Sequence, residues 1–191
     1  IHRRLVGSEM CIRDRLKDKD LEVRTQAAKV LGESAHAQAL EPLLSLLKDS
    51  SLRVRFHAAV ALGKLRSAKA INPLLELVLK NDDDDAFLRH GAVMGLVGST
   101  KTDPKVLLEL TSSSHSSVRL AAILALRRHA DPGISVFLKD EDLYLVTETA
   151  RAIHDDFSIP DALPALAEIL DRSDLDGCLL YTSDAADESS S

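Results

Sequence analysis

The sequence predicts an all-α fold, a right-handed α-α superhelix of about five stacked helix pairs. Three observations predict it. Related blocks recur along the chain: "KDLEVRTQAAKVLGES" from Lys19, "SSLRVRFHAAVALGKL" from Ser50, "DDAFLRHGAVMGLVGS" from Asp84, "SHSSVRLAAILALRRH" from Ser114 and "DEDLYLVTETARAIHD" from Asp140. Their pivots Val23, Val54, Leu88, Val118 and Leu145 follow one another at steps of 31, 34, 30 and 27 positions. Each block carries apolar residues at helical spacing, as where Val54, Ala58, Ala61 and Leu62 share one face.

Each block is read as the first helix of a pair, and a shorter apolar segment after it as the second. These are "ALEPLLSLLKD" from Ala39, "AINPLLELVLKN" from Ala70, "DPKVLLELT" from Asp103, "DPGISVFLKD" from Asp131 and "DALPALAEILDR" from Asp161. Three of them open on Asp, as Asp103-Pro104, Asp131-Pro132 and Asp161 do. Aspartate accepts from the free N–H groups of a first turn, and proline tolerates the first helical position. A lone pair of this kind cannot bury its apolar stripe, whereas stacked pairs bury each other's.

A charged spacing follows the same register. Asp18 precedes Arg24 by six residues, as Asp49 precedes Arg55 and Asp83 precedes Arg89. Ser113 replaces Asp before Arg119, and in the last block Asp140 remains while Val146 replaces Arg. An Asp in the inter-repeat turn and an Arg one turn into the next helix form a ladder of charge-assisted hydrogen bonds. These arginines are therefore expected to be structural rather than anion-binding.

The two ends lack this rhythm. "LVGSEMCIRDR", Leu5 to Arg15, and "CLLYTSDAADE", Cys178 to Glu188, read as in-frame translations of the two adapter arms of a transposon-based sequencing library. The expected organisation is adapter-derived sequence at 1–15, a repeat domain cut at both ends at 16–177, and adapter-derived sequence at 178–191. On that reading both cysteines, Cys11 and Cys178, belong to the ends, so the repeat segment has no thiolate nucleophile and no Cys-based zinc site. Taking four basic and five acidic residues from the chain's 24 and 30 leaves 20 and 25, a net charge of −5. That balance argues against a nucleic-acid partner, and no apolar run is long enough to span a membrane. Both cut faces are expected to expose apolar residues, Val23, Val30 and Leu31 at one end and Ile169 and Leu170 at the other.

The V-R-x-x-A-A-x-x-L-G core, as in "VRTQAAKVLG" and "VRFHAAVALG", and the A-[LI]-x-P-L-L second segments resemble HEAT repeats, in particular the short type first associated with phycobilin lyases. Three adjoining pieces, "DDDDAFLRHGAVMGL", "SSVRLAAILALRRHADPGISVFLKDEDLYLV" and "ETARAIHDDFSIPDALPAL", look like the HEAT segment of large planctomycete-type proteins. Those proteins pair a dehydrogenase-like β-propeller with the repeats and a c-type haem domain. That resemblance implies a periplasmic or exported protein with haem c in its full length. The propeller and the haem-attaching C-x-x-C-H motif are not in this sequence, so what the resemblance implies here is the scaffold, without a cofactor in this segment.

No catalytic or metal constellation emerges from the spacing. The six histidines of the segment, His36, His57, His90, His115, His129 and His154, form no H-E-x-x-H and no i, i+4 pair. The run Asp82 to Asp85 lacks the spaced ligands and Gly of a calcium loop. Ser113-Ser114-His115 has no orienting acid. Aligning the second segments places Ser45, Glu76, Glu109 and Glu168 in one column on their polar side. Such a column fits a protein partner with basic character, or neighbouring domains of the same chain. The sequence thus points to a non-catalytic scaffold, with the haem-dehydrogenase segment and a phycobilin lyase-like protein as alternatives.

Overall fold

The computed structural model describes residues 11–155 and 159–169, and every regular element among them is helical. The chain is an all-α solenoid of helix pairs. First helices are α1 (Leu21–Ser34), α3 (Leu52–Leu65), α5 (Ala86–Ser99), α6 (Ser116–His129) and α7 (Leu143–His154). Second segments are α2 (Leu40–Leu46), α4 (Ile71–Asn81), the 3₁₀ helices Pro104–Ser112 and Pro132–Lys139, and α8 (Leu163–Ile169). Two compact units share them, with the boundary after Pro104.

The two 3₁₀ segments depart from the expected α-helices. They sit in the repeats with short steps, 30 and 27 residues between pivots. A 3₁₀ helix rises about 2.0 Å per residue against about 1.5 Å in an α-helix. Eight or nine residues wound this way cover about the length of an eleven-residue α-helix such as α4. Asp131 fills its expected role, its carboxylate accepting from the Gly133 N–H at 2.8 Å.

In the first unit α3 lies between α1 and α5, and each second helix packs on the first helix that follows it. The approach of the three first helices is close enough to exclude a β-carbon at the glycines of the repeat motif. A Cβ on Gly32 would stand 2.7 Å from both Cα and Cβ of Ala61. One on Gly63 would stand 2.6 Å from the carbonyl oxygen of Met94. Alanines flank this seam, with Ala28, Ala58, Ala59 and Ala92 wholly buried. Leucines at one register, Leu31, Leu62 and Leu96, complete the interior.

The second unit has no glycine at this register; Arg127 and His154 stand there instead. Its core is bulkier, around Phe137, Ile123, Ile134 and Leu145, each 1% exposed or less. There α7 packs on α6 and on Pro132–Lys139, which α8 also touches.

The termini behave differently from the expectation in part. Leu31 and Ile169 are buried, because they face into the stack and not its end, while Val30 is 43% exposed and Val23 half-buried. Residues 11–14 are helical and lead into a 3₁₀ turn, Arg15–Lys17, whose Leu16 is buried against α1. Leu170, Leu5 to Met10 and Cys178 to Glu188 lie outside the described residues.

Three first helices end on a left-handed residue that is not glycine: Ala35, Arg66 and Ala130, with φ of 51°, 52° and 52°. The two glycine rules of helices are therefore inverted in this chain. Ala35→Gly is expected to raise stability by about 1 kcal/mol, by removing the left-handed Cβ penalty. Gly63→Ala is expected to lower it by about 1–3 kcal/mol, although Ala is the better helix former, because the added methyl meets backbone that cannot retreat. Urea denaturation of the two variants measures both signs.

Candidate functional site

The arginines of the repeat register do not all pair as the six-residue spacing suggested. Arg24 reaches forward to the turn of the next repeat. Its Nε donates to one carboxylate oxygen of Asp49 at 2.8 Å and its Nη2 to the other at 3.0 Å. Its Nη1 donates backward to the main-chain carbonyl of Asp18 at 2.8 Å. Arg119 repeats the arrangement, forking Asp140 at 2.8 and 3.0 Å and donating to the Ser113 carbonyl at 2.7 Å. Position i−6 thus supplies its carbonyl, and the carboxylate comes from the following repeat. Each clamped Asp also accepts a main-chain N–H two residues on, Ser51 for Asp49 and Asp142 for Asp140. One carboxylate thereby fixes both the turn and the arginine above it.

The middle of the series differs. Arg89 pairs with Asp83 of its own repeat. In the next repeat the corresponding position is Ser113, which has no carboxylate to offer. With Asp83 engaged by Arg89, the Nε of Arg55 is buried without a hydrogen-bond partner. The turn there is longer and carries two left-handed residues, Asp82 and Asp83. Asp85 caps α5 by accepting from the Leu88 N–H, and Asn81 holds both main-chain groups of Asp85. Asp18 accepts from the Asp20 N–H and from Arg15.

These contacts set the ionisation of the turn. The Asp20 N–H, with Arg15 and Lys19, holds the Asp18 carboxyl below its ordinary value against some desolvation. Burial raises the Asp49 carboxyl, but Arg24, the Ser51 N–H and the charge of Arg55 together hold it below the ordinary value. The Asp49 hydrogen bonds hold the Arg24 guanidinium more firmly protonated.

The acidic column divides between the units. Ser45 and Glu76 lie exposed on α2 and α4, Glu109 on Pro104–Ser112 and Glu168 on α8. Ser45 donates its hydroxyl to the Glu41 carbonyl at 3.1 Å. Glu76 pairs with Lys80 at 2.6 Å, and Lys80 with Lys48 holds its carboxyl below the ordinary value. In the first unit the second-helix face is therefore charge-balanced, without the acidic stripe that the column suggested. Among the described residues no group of three His, Cys, Asp or Glu is placed to hold a metal.

The feature that sequence reasoning missed is an apolar edge where the first helices begin. Leu21, Leu52 and Phe87 are 44%, 45% and 80% exposed in three successive repeats of the first unit. Leu143 and Tyr144, at the start of α7, are 47% and 52% exposed in the second. The signal lies one or two positions before four of the five pivots, Val118 with Ser116 and Ser117 being the exception, but apolar residues at a helix start read equally as buried. Between the starts of α3 and α5 lies a groove of about 270 Å³ lined by Leu52, Arg53, Phe56, Asp85, Phe87 and Leu88. Phe56 packs edge-on against His57 and stacks on His90, with ring centroids 4.9 and 6.4 Å apart. Gly91 leaves room for it, since a Cβ there would stand 2.6 Å from Phe56 Cδ2. Burial, then the charges of Lys29 and Arg53, push the His57 pKa down.

Residues 12–97 match the HEAT repeats family. No curated protein matches the sequence. Among solved structures, the chain is similar to one in the complex of CpcE and CpcF of phycocyanin lyase from Nostoc sp. PCC7120. That match has 24% identity and a TM-score of 0.53, and covers 85% of this chain and 68% of that one. An engineered protein matches at 21% identity and TM-score 0.47, covering 87% and 90% of the two chains. A designed armadillo repeat protein in complex with the peptide (KR)4 matches at 18% and 0.44, covering 93% and 97%. The chain is an all-α repeat solenoid in which residues 12–97 resemble HEAT repeats.

Arg119 and Asp140 have side chains only 6% and 5% exposed. Arg119→Ala is expected to cost about 3–5 kcal/mol, because Asp140 would stay buried without its counter-charge. Arg119→Lys should recover little of this, since an ammonium cannot fork a carboxylate. Chemical denaturation measures both. A carboxylate with a depressed folded pKa contributes stability that is complete above the unfolded value, about 3.9, and is lost as pH falls through the folded one. Asp49→Asn should therefore flatten the acid limb of the stability profile below about pH 4, as read by thermal unfolding across pH.

Proposed function

We propose that this HEAT-like chain is a non-catalytic scaffold that holds a protein partner or neighbouring domains of a longer protein. The observation that carries the reading is the recurrence of large exposed apolar side chains at the starts of first helices, Leu21, Leu52 and Phe87 in the first unit and Leu143 and Tyr144 in the second. Exposed apolar groups that recur in this way mark interaction surfaces. Within the first unit three successive helix pairs present them one after another, which suits an elongated partner. The clamped arginines support the same reading. Arg24 and Arg119 are engaged in holding turns together, so their fork geometry maintains the surface and is not offered to a substrate.

On this reading any redox chemistry, haem c included, belongs to neighbouring domains, and export would follow from them. The repeats would set the distance and orientation between those domains.

A displayed random-peptide library selected on the purified chain tests the proposal. Families of related peptides should be enriched, and the triple variant Leu21→Ser, Leu52→Ser, Phe87→Ser should lose most of them while keeping its helical circular dichroism. Absence of any enriched family, or full retention by the triple variant, would overturn the scaffold surface proposed here.

A further inference from the structure

Resting on the scaffold reading, we infer that the groove between the starts of α3 and α5 takes one aromatic or branched apolar side chain of a protein partner whose adjacent residue, on the α3 side, is a carboxylate. The groove is built for a single side chain. Its wall is Leu52, Phe56, Phe87 and Leu88, its volume is about 270 Å³, and Phe87 is 80% exposed beside it. Phe56 is held in place by His57, His90 and the missing Cβ of Gly91, so the floor is already formed. A floor already in place spares the entropy of ordering Phe56 on binding.

The charge around the groove selects the neighbour of that side chain. On the α3 side stands Arg53, which lines the groove. The ion pair that Arg53 makes with Glu22, at 3.1 Å, joins two half-exposed side chains. Such a pair is held weakly enough for a partner carboxylate to compete for the guanidinium. On the opposite side, at the start of α5, stands the acidic run Asp82 to Asp85, which disfavours a carboxylate there. Asp85 caps α5 through the Leu88 N–H, and Asp83 pairs with Arg89. The acidic turn and the arginine side therefore give the socket a polarity, with the carboxylate on the α3 side.

Fluorescence anisotropy with a labelled peptide carrying one central Phe flanked by Glu is the test, run beside the same peptide with Lys for Glu and with Ala for Phe. Saturable binding is expected to be at least about 10-fold tighter for the Glu–Phe peptide than for either control. Phe87→Ser and Arg53→Glu are each expected to weaken it by about 10-fold or more. Both positions are exposed, and unchanged thermal unfolding of the variants confirms that the fold is intact. Equal binding of the Glu and Lys peptides, or unchanged binding by Phe87→Ser, would overturn the proposal. So would the absence of saturable binding up to about 1 mM, a free energy of about −4 kcal/mol. Sedimentation showing a Phe87-dependent dimer would overturn it too, by making the occupant a second copy of the chain. A library that enriches peptides independent of Phe87 would refute this socket while leaving the scaffold reading in place.

Discussion

The first unit depends on how closely α1, α3 and α5 approach one another. At Gly32 and Gly63 the neighbouring helix stands where a β-carbon would be. Interhelical distance follows from the residues at the contact, so glycine and alanine at this seam fix the spacing of the repeats. The remaining features of the unit follow from that spacing. Leu31, Leu62 and Leu96 meet in one continuous interior. Turns of successive repeats come near enough for Arg24 to fork Asp49 across them. Where the seam lapses, at Arg127 and His154, larger side chains such as Phe137 take over the core.

The arginine clamps add directionality to this packing. A buried ion pair gives little net stability compared with an apolar pair of the same shape, but it penalises every register that separates it. Arg24–Asp49 and Arg119–Asp140 each tie a helix to the turn of the following repeat and to its own preceding turn. Between them the order of partners is interrupted. Ser113 offers no carboxylate, Arg89 turns to Asp83, and Arg55 keeps a buried Nε without a partner. The turn after α4 carries two left-handed aspartates, Asp82 and Asp83.

The helix pairs and their register could be read from the sequence because apolar periodicity and the recurring V-R-x-x-A-A-x-x-L-G pattern report directly on burial. The 3₁₀ winding of Pro104–Ser112 and Pro132–Lys139 was not foreseen, although the shortened repeat steps were visible; winding responds to the length that must be spanned. The forward direction of the clamps was foreshadowed by one position. Asp140 persists where its own repeat has Val146 in place of Arg, and Arg119 of the preceding repeat is what holds it. The column Ser45, Glu76, Glu109 and Glu168 named exposed positions, but Glu76 pairs with Lys80 one turn on in α4, an i,i+4 spacing that was legible and that the column left out. The apolar edge at Leu21, Leu52 and Phe87 was hidden because a helix-start leucine is ambiguous until its neighbours are placed.

If the glycine–alanine seam governs the first unit, α1, α3 and α5 should open together and not singly. Native-state hydrogen exchange under increasing urea resolves this most directly. Amides from Ala58 to Leu96 are expected to be the slowest, and those in the middle of α1 should merge with them into one opening of common free energy and urea dependence. Three separate openings, each with its own free energy and a small urea dependence, would contradict the account. They would mean that each helix pair is held by its own contacts and that the close approach at Gly32 and Gly63 carries no cooperativity.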